Sequence, residues 1–467
     1  MTQATSPDQL AAQEAGLARQ LSTRQMTMIA IGGAIGTGLF LGSGLAVREA
    51  GPGVILTYIL GAVIALLLVG ALAEMAVAHP AAGSFGVYAE LYVSRWAGFA
   101  VRYTYWAAQS IAIGGEATAV AIYCSWWFPG VPHWVWIVGF SAALIYVNAS
   151  SVGAFGEFEY WFALIKVVAI VLFIVFGVAE LTGLTGGVRP APHFTSDGGF
   201  LPMGFAGVWR ALCFVIFSFI GSEIIAVTAG EARDPATAVP RAMRSMLGRL
   251  SIFYIGAITV LIGVVPWNRI QPGGDVTASP FVTVFQLVGI PEATHAMNFV
   301  VVTAALSSMN TNLYLATRMI FSLARGGYAP EALGRVTSRG APVPALLVTA
   351  AGLAIATVIN IFSPGKAYVL LFGIALFGGL FVWLMVFVTH LRFRPAWDNA
   401  VAAGKVPRLP VRMIGYPYTS IGGAMLLVAV LVTTWWIDGM QPALLAGLPW
   451  LGALTAVFWL TCGRRRP

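Results

Sequence analysis

Apolar residues along this chain fall in long uninterrupted runs, and polar residues collect in the short stretches between them. Runs such as 54–77 and 167–178 are apolar on every side, the pattern of a helix with no wet face. A membrane-spanning helix needs roughly 20 mostly apolar residues. On that criterion about twelve spans are predicted, near 26–48, 54–77, 98–127, 133–150, 158–182, 207–230, 248–266, 294–323, 344–362, 368–390, 419–437 and 442–461. Barrel strands would read as stretches of about ten residues alternating in polarity, and these runs do not alternate.

In two spans the pattern breaks. The first carries a glycine-rich segment, IGGAIGTGLFLGSG from Ile31 to Gly44, and the sixth reads CFVIFSFIGSEIIAVTAGE from Cys213 to Glu231. Gly221 and Ser222 there precede Glu223, an acid midway through a span, where a charge costs about 2.5–3.5 kcal/mol. A bilayer has no water for unpaired backbone groups, so a helix that unwinds there needs another occupant for them. The breaks recur at an offset of five helices, the spacing of two repeats that, each holding an odd number of helices, have opposite topology. In a broken helix the exposed N–H groups favour a carboxylate, and the carbonyls ending the other half receive a cation. An α-amino acid offers both charges on adjacent atoms. Ile35, Gly36, Thr37 and Gly38 are therefore candidate binding positions, the last three at the carboxylate end, and Phe219, Ile220 and Gly221 are candidates for the amine end. Gly32/Gly36 and Gly38/Gly42 also fit small-xxx-small helix packing without unwinding, and the GSG of Gly42–Gly44 reads as packing. A nucleotide-binding glycine loop would need a soluble strand–helix unit.

Composition fixes the solvent: 58% of residues are hydrophobic and 9% charged, with mean hydropathy +0.83, which describes an integral membrane protein. The net charge of +8 does not indicate nucleic acid, because the basic residues sit between spans. Arg24, Arg95, Arg102, Arg241, Arg249, Arg325 and Arg394 fall on one side, while Arg48, Arg189, Arg269 and Lys366 are nearly all that the other side holds. By the positive-inside pattern both termini are expected in the cytoplasm, in a multi-pass protein of the cytoplasmic membrane. Met1–Arg24 lacks the apolar core of a signal peptide and reads as a cytoplasmic tail. Cys124, Cys213 and Cys462 have no metal spacing or paired framework, so neither zinc nor a disulfide is expected, and no cofactor. The expected organisation is a tail (1–24), a first repeat (25–182), an inverted second repeat (183–394) and a closing pair of helices (395–467). No oligomeric state is assigned.

Several segments in order carry a resemblance: RQMTMIAIGGAIGTGLFLGSG, the AGP of Ala50–Pro52, PAAGSFGVYAE from Pro80, GEFEYWFALIKV from Gly156, FIGSEIIAVTAGEARDP from Phe219 and NTNLYLATRMIFSLA from Asn310. Together they resemble bacterial amino acid permeases of the amino acid/polyamine/organocation superfamily, over essentially the whole chain beyond the tail. The resemblance implies an all-α five-plus-five inverted-repeat (LeuT-like) fold with helices 1 and 6 broken, secondary active amino acid uptake, and usually proton coupling. Where many relatives read Asn-Ser-Gly in the eighth helix, this chain has Asn310, Thr311 and Asn312, which leaves the substrate open.

Lys166 lies about nine residues beyond Glu157, roughly 13 Å deep at 1.5 Å per residue. In the resembled family a lysine here stands where sodium binds in sodium-coupled relatives, and an ammonium that loses and regains its proton can replace a metal ion. The alternative is a permanently charged brace. Glu116 is a candidate for substrate-amine recognition or proton sharing, with a hydrogen-bonded packing role as its alternative. Glu223 either caps the broken helix, the reading favoured here, or titrates. Phe217 and Phe219 flank the second break and are candidates to close over substrate. Ser307, Ser308, Asn310 and Asn312 are polar enough to line a cavity or to bond between helices. Glu231, Arg233 and Asp234 are candidates, with Arg24, for an inner gate.

The predicted mechanism is alternating access driven by inward proton flow, with a neutral amino acid favoured. Obligate exchange and cationic substrates are the nearest alternatives, and a channel is the alternative from another class. The scattered acids and five histidines show no catalytic spacing, so no enzyme is expected.

Overall fold

The computed structural model describes residues 21–81, 83–184, 193–232, 235–270, 279–288, 291–362 and 367–462. The first expected span is three pieces, α1 (Thr23–Ala34), α2 (Thr37–Phe40) and α3 (Gly42–Ala50). Next come α4 (Val54–Ala78), a short α5 (Ser84–Tyr92), α6 (Arg95–Cys124), α7 (His133–Ser150) and α8 (Val152–Thr182). The sixth span is α9 (Gly204–Phe219) and α10 (Ile224–Thr228), followed by α11 (Pro235–Val264), α12 (Pro280–Val288), α13 (Pro291–Arg325), α14 (Val343–Phe362), α15 (Ala367–Ala402), α16 (Tyr418–Thr433) and α17 (Pro442–Thr461).

Helix occupies most of every stretch expected as a span, and nine helical stretches among the described residues are long and apolar enough to cross a bilayer. One of the nine is α3 and α4 run together through a 3-10 turn. Helix α6 is not among them, because it carries Arg102, Gln109 and Glu116. Helix starts follow local chemistry. Ser22 and Gln25 form a reciprocal capping box at α1, and the Ser94 and Ser151 hydroxyls accept the N–H groups of Ala97 and Ala154, both at 3.1 Å, satisfying otherwise orphaned donors.

The expected boundaries fall short at three helices. The span predicted at 158–182 starts at Val152, that at 248–266 starts at Pro235, and that at 368–390 continues to Ala402. Apolarity marks the part of a helix facing hydrocarbon, whereas the backbone continues helical into polar surroundings. Helices α5 and α12 are not predicted, since nine residues each fall below the spanning length.

Helix α6 sits at the centre, packed against α5, α13, α14 and α15, while α1 packs on α8, α11 and α13 and α9 on α3 and α4. Both breaks thus meet beside the middle of α6, where Glu116, Glu159, Lys166 and Glu223 are all buried.

Candidate functional site

Helix α1 ends at Ala34; Ile35 and Gly36 are non-helical, and α2 restarts at Thr37. The Thr37 N–H, at the new N-terminus, faces both Glu116 carboxylate oxygens at 3.4 Å. Ser308 donates to the same carboxylate at 2.9 Å. The backbone at Gly36 is extended, so glycine is needed there for space: a Cβ would lie 2.8 Å from Ser308 Oγ and 2.9 Å from Glu116 Oε1. The GSG of Gly42–Gly44 is helical, as its packing reading expects.

The second break is set by Gly221, whose φ of +104° belongs to the left-handed region that favours glycine. A Cβ there would lie 2.6 Å from the Gly33 carbonyl oxygen, so the two breaks touch backbone to backbone. Glu223 accepts from Gly221 N–H at 3.0 Å, the Tyr105 hydroxyl at 2.7 Å and Trp383 Nε1 at 3.2 Å. It ties the break to α6 and α15. The Tyr254 hydroxyl stands 2.5 Å from the Ala34 carbonyl and 2.8 Å from the Ser218 carbonyl, bridging the two unwound ends.

Lys166 donates to the carbonyls of Gly32 and Ile35, the latter at 2.9 Å, and to Ser307 Oγ at 2.8 Å. Carbonyls at a helix C-terminus carry partial negative charge, and a buried ammonium satisfies them. Ser307 in turn donates to Glu159, which also accepts from Asn310 Nδ2 at 3.1 Å.

A cavity between the breaks is lined by five of the predicted residues, Gly36, Gly38, Glu116, Phe217 and Ile220, and by Ser308 and Asn312. The other predicted positions lie behind this wall. Ile35 contributes its carbonyl to Lys166, and Thr37 Oγ1 stands 3.3 Å from the Tyr368 hydroxyl. The Phe219 ring packs against Tyr58 and Tyr254, away from the cavity, whereas the Phe217 ring meets Phe372 at a 33° tilt with centroids 4.0 Å apart. Asn310 bonds to Glu159 and Asn148. Glu116 stands at the first break, facing the Thr37 N–H and the Ser308 hydroxyl. Gly33 and Ala34 of α1, Tyr105, Ala108, Gln109 and Ala112 of α6 and Ala375 and Gly379 of α15 complete the lining and are not among the predicted positions. Toward the start of α1, Glu231 pairs with Arg318 at 2.9 Å, and Arg318 lies 3.7 Å above the Tyr314 ring. Arg24 lies 4.0 Å over Tyr160 instead of joining Glu231; Arg233 and Asp234 lie outside the described residues.

This arrangement of facing backbone breaks can be set against known proteins. Residues 25–465 match the family model described as Amino acid permease. The chain belongs to the amino acid permease family. It is 37% identical to the γ-aminobutyric acid permease of Bacillus subtilis over 92% of this chain and 91% of that protein. It is 39% identical to the aromatic amino acid transport protein AroP of Escherichia coli K12, over 91% of each, and 39% identical to a putative histidine permease of B. subtilis over 93% of this chain and 91% of that one. Among solved structures, a manganese transporter of Eremococcus coleocola aligns with TM-score 0.58 at 13% identity, covering 97% of this permease and 94% of that chain. The fold is therefore the LeuT-like transporter fold that the resemblance implies. The permease is a multi-pass membrane transporter of amino acids, not an enzyme.

Proposed function

We propose that this permease carries out proton-coupled uptake of a neutral amino acid by alternating access, with both termini in the cytoplasm. The substrate carboxylate takes the Thr37 and Gly38 end of the first break, and its ammonium takes the carbonyls of the second. Residues 25–182 and 183–394 act as the two repeats that rock against each other around this site. The observation that carries the coupling is Lys166 holding the Gly32 and Ile35 carbonyls: an ammonium there fixes α1, and its deprotonation releases it.

Glu116 adds a second link. Its carboxylate already faces the Thr37 amide, and two carboxylates at one amide disfavour joint ionisation. A substrate carboxylate therefore enters together with a proton on Glu116 or displaces it toward Ser308. Neutral substrates are favoured because, among the described residues, the cavity lining holds the Glu116 acid and no lysine, arginine or histidine, so an acidic side chain meets no counter-charge. Glu223, with three donors, holds the second break in shape. The relatives' names, γ-aminobutyric acid and aromatic amino acid transporters, fit a site without a fixed positive charge at its side-chain end. Uptake into proteoliposomes, with a panel of amino acids competing at two pH values, tests this reading. Acid-stimulated uptake of neutral amino acids supports it; pH-independent uptake, or competition by aspartate or glutamate alone, overturns it.

A further inference from the structure

We propose that Glu159 is the carboxylate that receives the proton from Lys166, with the Ser307 hydroxyl as the bridge between them. The proposal rests on the reading of Lys166 as the coupling lysine and assigns the next acceptor after it. Glu159 stands seven positions before Lys166 on α8, two turns or about 10 Å nearer the start of the helix. Both side chains reach the same Ser307 oxygen: Lys166 Nζ donates to it at 2.8 Å, and Ser307 donates to Glu159. A continuous donor chain thus runs from the ammonium to the carboxylate.

The surroundings of Glu159 suit an acceptor better than a brace. Its direct partners are neutral, Ser307 and Asn310, the latter held through Asn148 of α7. Helix α13 also presents Thr311, and the charged side chain facing the carboxylate is Lys166. Helix α1 presents Gly32, where a Cβ would lie 2.6 Å from Glu159 Oε1. A buried carboxylate without a direct counter-ion is costly as an anion. Transfer removes that cost: the Nζ–H bond breaks as Ser307 Oγ gains a proton, and the Ser307 O–H bond breaks as Glu159 Oε1 gains one. An ammonium and a carboxylate become an amine and a carboxylic acid, with no other reactant. The neutral amine then holds the Gly32 and Ile35 carbonyls through ordinary hydrogen bonds, about half as strong as charge-assisted ones, and α1 is loosened.

The test uses the full chain in proteoliposomes with radiolabelled phenylalanine, histidine, alanine and γ-aminobutyrate as probes, comparing accumulation under a pH gradient with counterflow exchange. One pH unit coupled to one proton supports about tenfold accumulation. Glu159→Gln and Ser307→Ala are expected to lose this accumulation while retaining counterflow, and Glu159→Asp, which keeps an acid, to regain part of it. Wild-type accumulation in Glu159→Gln alongside its loss in Lys166→Ala overturns the relay and leaves the lysine reading standing. Full accumulation in Lys166→Ala removes the lysine reading and the relay with it. Loss of counterflow together with accumulation in both Glu159→Gln and Ser307→Ala makes Glu159 a brace and also overturns the proposal.

Discussion

Replacing Gly221 by alanine probes the contact between the two helix breaks with one methyl group. The cost has two parts. A residue with a Cβ held at positive φ costs about 1–3 kcal/mol, and Gly221 has φ +104°. The new Cβ would also lie 2.6 Å from the Gly33 oxygen and 3.0 Å from the Gly33 carbonyl carbon. These are backbone atoms that cannot swing aside, and overpacking of this kind costs about 1–3 kcal/mol. The total is roughly 2–6 kcal/mol, and at about 1.4 kcal/mol per factor of ten the lower end predicts at least a 30-fold loss of transport rate. The assay is initial-rate counterflow in proteoliposomes at matched protein incorporation. Gly422→Ala serves as the control, since nothing lies within 4 Å of a Cβ at that position of α16. Counterflow by Gly221→Ala within about threefold of wild type, a cost below 1 kcal/mol, would refute the close apposition of the two breaks.

Other predictions concern the remaining parts of the site. Gly36→Val should abolish binding measured by scintillation proximity, because the added carbons meet Ser308 and Glu116; unchanged affinity would remove the first break from the binding site. Lys166→Ala should eliminate acid-stimulated accumulation yet leave exchange, and acid-driven accumulation equal to wild type would end its coupling role. Glu223→Ala strands three donors, at about 1–3 kcal/mol for each buried group left unsatisfied, so the detergent-solubilised protein should melt several degrees lower. An unchanged melting temperature would contradict the capping role. Arg318→Ala leaves Glu231 buried and unpaired, a cost of about 3–5 kcal/mol that should also lower the melting temperature, and a double replacement with Glu231→Gln should recover part of the loss.

Much of the site is written in residues that conflict with their surroundings. Glycine clusters and single charges stand out in apolar runs, so both breaks, Glu116, Lys166 and Glu223 are visible without coordinates. Glu159 lies in GEFEYWFALIK but attracts no role from the sequence, because apolarity places the helix start near 158. The helix begins at Val152, which puts Glu159 two turns inside. Phe217 and Phe219 differ by two positions, and only the path of the broken helix decides that the first faces the cavity while the second packs on Tyr58 and Tyr254. Ala108, Ala112, Ala375 and Gly379 left no signal, since small residues at a substrate wall and at a helix contact look alike. A large share of the cavity wall is built from just such residues.

On the proposed mechanism, an inward proton gradient drives accumulation of a neutral amino acid through the site between the two breaks. Its most direct measurement is uptake of radiolabelled neutral amino acids into proteoliposomes holding the purified permease, acid outside, with and without a protonophore. Saturable accumulation above the external concentration is expected, and it collapses when the protonophore is added. Uptake that only equilibrates, or that needs an amino acid inside and ignores the gradient, would contradict it.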